Sequence, residues 1–123
     1  MEVEKAARDF RLRQREDENK RVAVEFVERA QRSDLNGMLR LTSKITKNND
    51  GRGVTRQAYE EKVIPAFKEA RVEWNRTNHL ITDERNNRGF VFSGSMNTNK
   101  KVLFDIIVMR ELGSLRVICI RRK

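Results

Sequence analysis

With 123 residues the chain has the length of one domain and can bury roughly two thirds of the surface its unfolded form exposes. Charged residues make up 37% of it and aliphatic plus aromatic residues another 37%, but the apolar ones crowd into the second half, which excludes a uniformly disordered chain. The net charge of +9 is uneven: seven bases face six acids in residues 1–21, nine face seven in 22–70 and eleven face five in 71–123, so the excess belongs to the C-terminal half.

Residues 1–21 contain no Gly or Pro and mix acids with bases, and Val3, Ala6, Ala7 and Phe10 recur at helical spacing. This pattern fits a stalk or docking arm as well as a frayed, solvated extension. From Val22 a stripe of Val22, Ala23, Phe26, Val27 and Ala30 continues the helical period, either as a new helix or unbroken from the first segment. Ser33 is placed to cap a short second helix carrying Leu35, Met38, Leu39 and Leu41. Lys47 to Gly53 is the most loop-like run in the chain. It lacks the strand and the Lys-Ser/Thr ending of a phosphate-binding loop, so a plain connection is expected.

Thr55 is placed to open a third helix, whose buried face is Ala58, Tyr59, Val63, Ile64, Ala66 and Phe67. Pro65 falls within it and either kinks it or breaks it near Val63 and Ile64. After Ala70 the period becomes two. Val72, Trp74, Arg76, Asn78 and Leu80 share one face of a strand, with Glu73, Asn75, Thr77, His79 and Ile81 on the other. A turn over 83–88, a strand over 89–95 and a turn over 96–100 follow. Residues 101–122 then form a hairpin that turns at Glu111-Leu112-Gly113-Ser114, and the strands together make an antiparallel meander.

The fold class expected is α+β, with N-terminal helices packed on a curved antiparallel sheet of four or more strands. Phe104, Ile106 and Val108 of the hairpin can face the helices. That leaves Leu103, Ile107 and Met109 on a second apolar face, to be covered by a second copy, a protein partner or the N-terminal helix folded back.

The passage Ala30-Gln31-Arg32-Ser33-Asp34-Leu35-Asn36-Gly37-Met38-Leu39-Arg40-Leu41 resembles the helix-break-Asp-Leu-x-x-Leu-Leu-x-Leu segment of the NTF2-like, cystatin-like α+β superfamily. The third helix from Thr55 and the strand bearing Trp74 also fall where that family would put them. The resemblance covers residues 22–123 as the domain and leaves 1–21 as a charged helical extension. It implies a cone-shaped sheet closed on one side by helices. Members include isomerases and dehydratases that use an Asp or a His-Asp pair. Others are binding modules, dimerisation domains and extracytoplasmic parts of bacterial secretion and conjugation machinery. The chain departs from the enzymes, because strand parity turns its one histidine, His79, away from Trp74 and Leu80, and Asp105 reaches the pocket only if the Leu103 face turns inward.

Other chemistry finds little support in the sequence. A single cysteine, Cys119, set among Val117, Ile118 and Ile120, excludes an internal disulfide and reads as a buried thiol. One His and one Cys do not make a usual zinc site, and no cofactor is expected. Arg88-Gly89-Phe90-Val91-Phe92 matches the aromatic strand of RNA-binding RRM domains only in part, and Asn75-Arg76-Thr77 is a glycosylation sequon inside a predicted strand. No run approaches the ~20 apolar residues of a membrane span. Membrane contact is therefore expected only through a segment outside this chain, and no compartment is assigned.

Three readings follow. The first is a non-catalytic association module using Leu103, Ile107 and Met109. The second is a small-ligand pocket or enzyme built near Trp74, Arg76 and Asn78 and closed by Tyr59 and Phe67. The third is a nucleic-acid surface, which requires Arg71, Arg76, Lys100, Lys101, Arg116, Arg121 and Arg122 to form one continuous patch.

Overall fold

The computed structural model of the chain describes residues 2–44, 54–82 and 87–123. In chain order it contains α1 (Glu2–Gln31), α2 (Leu35–Leu41), α3 (residues 54–67), β1 (Arg71–Trp74), β2 (His79–Thr82), β3 (Arg88–Asn97), β4 (Lys101–Glu111) and β5 (Ser114–Arg122). The loop read over 47–53 and most of the turn read over 83–88 lie outside the described residues. This is an α+β fold, in which the described helices, a long N-terminal one and two shorter ones, pack on an antiparallel five-stranded sheet.

Lacking Gly and Pro, α1 runs unbroken for 30 residues, about 45 Å, straight through position 21/22. Ala23, Phe26, Val27 and Ala30 are its buried stripe, and Leu12 joins the edge of the same core. Farther out the helix leaves the sheet, and Phe10 is 69% exposed. No described helix is long and apolar enough to cross a membrane.

The cap of α2 differs from the sequence reading. Asp34, not Ser33, is the N-cap, its carboxylate accepting from Gly37 N at 2.9 Å. Ser33 instead adopts a left-handed φ of 59° and terminates α1: its N–H donates to Ala30 O at 3.0 Å, and the next N–H, of Asp34, donates to Arg29 O at 2.8 Å. That pair of bonds is the Schellman arrangement, which satisfies carbonyls the helix end leaves open. Arg29 closes the corner by donating to Asp34 at 2.8 Å and Glu25 at 3.2 Å.

Pro65 neither breaks nor sharply ends α3. The helix begins its described course as Val54–Ala58, with Thr55 inside its first turn, widens into a π-helical turn over Tyr59–Val63, and closes as Ile64–Phe67. The physical cause is proline itself, which has no N–H to give Glu61 O and whose ring crowds that carbonyl. A wider turn, in which Ile64 N donates to Tyr59 O, moves the carbonyl aside.

In the sheet β1 and β2 share one edge of β3, followed by β4 and β5. Trp74 lies opposite Gly94 and His79 opposite Val91, so four residues, 75–78, span two on β3. The single strand expected over 72–81 is thus two strands around an irregular insertion. Because the excess is two residues, parity survives: Trp74 and Leu80 keep the helix-side face and His79 the other. A second irregularity lies between β4 and β5, where the register slips between Ile107 and Val108 and leaves Ile118 as an extra residue. Near it Asn19 of α1, fully buried, donates to Val108 O at 3.3 Å.

The core fills the space between α1–α3 and the inner sheet face of Phe90, Phe92, Phe104, Ile106, Val108 and Val117. Edge-to-face rings lock it, Phe26 on Tyr59 at 5.3 Å, Phe67 on Phe104 at 5.1 Å and Trp74 on Phe104 at 5.4 Å. The chain between α2 and α3 is tied to β5: Thr42 bridges Val117, and Ser43 N donates to Val117 O at 2.8 Å. Glu111, at the end of β4, accepts from Ser43 Oγ and from Lys44 N.

Candidate functional site

Two surfaces emerge from this arrangement, the outer face of the sheet and a groove along its β5 edge. On the outer face, opposite the helices, β3 contributes Val91, Ser93 and Ser95, β4 contributes Leu103, Asp105, Ile107 and Met109, and β5 contributes Cys119 and Arg121. No described helix lies there. Of the three association candidates, Leu103 is 47% exposed and Ile107 half-buried. Met109 must be removed from that set. It is only 6% exposed, because Gly89 directly opposite has no side chain and Met109 lies across it; a Cβ there would collide with Met109 Cγ.

Asp105 sits in the middle of the same face, 2% exposed. Burial pushes its carboxyl up, but the Ser93 hydroxyl, Arg121 and Lys123 together outweigh that and hold it below the ordinary carboxylate value. Ser93 Oγ donates to Oδ1, Arg121 Nε to Oδ2 at 3.2 Å, and Lys123 Nζ lies 3.4 Å from Oδ1. His79 is exposed on β2, on the same face, and is not among Asp105's partners, so no His79–Asp105 dyad forms. Among the described residues no cluster of His, Cys, Asp and Glu could hold a metal ion.

The second surface is a groove of ≈ 580 Å³ between α3 and β5. Tyr59 and Phe67, read from the sequence as closing a pocket near Trp74, Arg76 and Asn78, line this groove instead. The other pocket candidates do not. Trp74 lies behind it with its ring against Phe104, Arg76 is exposed in the insertion between β1 and β2, and Asn78 donates to Glu16 of α1 at 2.7 Å. The alternation that put Arg76 and Asn78 beside Trp74 fails because the insertion leaves the strand.

The basic candidates divide. Arg71 at the start of β1, Lys100 and Lys101 at the β3–β4 turn, and Arg121 and Arg122 at the end of β5 gather at one end of the sheet. Arg116 pairs opposite Met109, about 27 Å away along β4 from Lys101, and donates to the Arg40 carbonyl. Arg76 lies in the insertion between them, so the seven do not form one continuous patch. Within the cluster Arg121 is held by Asp105, and Arg71 stands 3.7 Å from Glu73.

Sequence reasoning missed β5 as a groove wall. Ile118, Ile120 and Arg122 carry no motif, and only the folding of α3 alongside β5 makes them a site. No family model, curated protein or solved structure matches the chain.

Proposed function

We propose that the chain is a non-catalytic, NTF2-like association module that pairs with a second copy of itself through the outer face of its sheet. The observation that carries this reading is Leu103, 47% exposed near the start of β4, with half-buried Ile107 farther along the same face, Cys119 opposite Ile107, and no described helix over them. Charges of both signs share this face, Asp105 with Arg121 and Lys123 between Leu103 and Ile107, and Glu73, Arg71 and Arg116 farther out. A two-fold pairing places each patch on its own copy, so such a face can complement itself. The order of helices followed by an antiparallel sheet supports the NTF2-like assignment, and the full engagement of Asp105 supports a non-catalytic role.

Light scattering against concentration tests the association, with Cys119 as an internal reporter because it lies opposite Ile107 on the same face. A dimer is expected whose Cys119 reacts more slowly with a thiol reagent as concentration rises, and Leu103→Asp returns it to a monomer with unchanged far-ultraviolet circular dichroism. A monomer at several hundred micromolar, with Cys119 reactivity independent of concentration, overturns the proposal.

A further inference from the structure

The groove between α3 and β5 adjoins the pairing face along β5, where Cys119 and Arg121 border both, but its α3 wall and its Phe104 side are its own, and its make-up points to a ligand. Its α3 wall is hollow because Ala58 and Ala66 present only methyl groups where the neighbouring turns present Tyr59 and Phe67. Phe104 and Met96 form the floor, and Ile120 the opposite wall. At ≈ 580 Å³ the space falls within the range that small-molecule sites occupy, about 300–1,000 Å³. It follows α3 from Thr55 to Phe67, a length of about 18 Å.

Its charge is one-sided. Among the described residues that line it, Lys62, Arg121 and Arg122 are charged and none is Asp or Glu. Arg121 is occupied by Asp105, whereas Lys62 and Arg122 form no ion pair among the described residues. The π-helical turn Tyr59–Val63 carries Lys62 at the rim of the hollow, and Tyr59 is anchored by its hydroxyl to Thr42 Oγ1 at 2.9 Å. Widened turns of this kind recur at binding sites, and here the cause, Pro65, is part of the same helix.

We propose that this groove binds an elongated apolar anion, its hydrocarbon part along Ala58, Ala66, Phe104 and Ile120 and its acidic head between Lys62 and Arg122. An extended peptide pairing with β5, the edge strand, is the rival occupant. The alanine methyls and phenyl rings of the α3 side offer its backbone no partners there and favour a hydrocarbon chain, which needs none.

Straight-chain carboxylates below their micelle concentrations, titrated by calorimetry into the intact protein, are the probe. One site is expected, with affinity rising up to about fourfold for each added methylene until the groove is full. Dodecyltrimethylammonium, with the same chain and the opposite charge, is expected to bind at least about tenfold more weakly than dodecanoate. Ala66→Phe fills the hollow and abolishes binding. Lys62→Glu, on an exposed side chain that leaves folding intact, weakens dodecanoate about fivefold and narrows the difference between the two probes. Equal binding of the two probes, no dependence on chain length, or full affinity in a folded Ala66→Phe protein overturns the proposal. Binding of an acidic peptide with no response to dodecanoate overturns it too. Leu103→Asp, which breaks the pairing face, is expected to leave dodecanoate affinity unchanged, so the two proposals fail separately.

Discussion

Asp105 shows how one residue can be buried on a face that no helix covers. It is 2% exposed because Arg121 and Lys123 lie over it from the edge strand, with their own side chains 57% and 49% exposed. The carboxylate therefore meets little water, while its partners keep theirs. Because its folded pKa lies below the ordinary 3.8, its charge contributes stability that is complete above that value and drains away as pH falls through the folded pKa. Urea unfolding in a pH series is expected to show this loss beginning near pH 4 and to show it reduced in Asp105→Asn; an unchanged acid limb in that variant would sink the assignment. At neutral pH Asp105→Ala is expected to cost about 1–3 kcal/mol, since Ser93 loses its acceptor and the outer face its central anchor. Arg121→Ala alone costs about 1 kcal/mol or less, because a guanidinium that exposed is heavily screened and Lys123 remains.

At the scale of the element, the β4–β5 hairpin carries a local conflict. Its turn needs a left-handed conformation at both central residues, with φ 50° at Leu112 and 83° at Gly113. Such two-residue turns match the twist of the strands they join. Gly113 adopts this freely, whereas a residue with a Cβ is strained there by about 1–2 kcal/mol, and Leu112, 89% exposed, gains no burial in return. Leu112→Asn is expected to stabilise the protein by about 1 kcal/mol in chemical denaturation, since Asn tolerates the left-handed region and favours this turn. Gly113→Ala loses a similar amount. A destabilised Leu112→Asn protein would mean that Leu112 makes an apolar contact in the assembled state, and measuring it together with Leu103→Asp tells the two apart. The π-helical turn of α3 is the opposite case, a local irregularity that resolves a conflict set by Pro65.

Over the whole molecule, stability and association are carried by different surfaces. The helices and the inner sheet face share Phe26, Phe92, Phe104 and Ile106, so Phe26→Ala is expected to cost about 3–5 kcal/mol. The outer end of α1 makes no such contact, since Glu4 to Arg11 are exposed apart from a half-buried Ala7. Removing residues 1–10 is therefore expected to change unfolding free energy by less than about 0.5 kcal/mol, as measured by urea titration at low protein concentration. A larger loss would place the first turns of α1, with Phe10, in the packed structure. If truncation instead weakens the dimer at unchanged monomer stability, α1 belongs to the association surface as well.

The faces of the sheet were legible because side chains alternate strictly along a strand. Phe104, Ile106 and Val108 had to oppose Leu103, Asp105 and Ile107 wherever the hairpin packed. The α1 stripe and the hairpin turn at Gly113 followed from local rules of the same kind. Tertiary structure alone decided how those faces were used. Whether Arg76 and Asn78 stayed beside Trp74 depended on how many residues β3 set against them. Met109 was hidden by a glycine twenty residues earlier, and the groove exists only because α3 passes β5. In each of these the deciding partner is distant in sequence, and periodicity carries no information about distant partners.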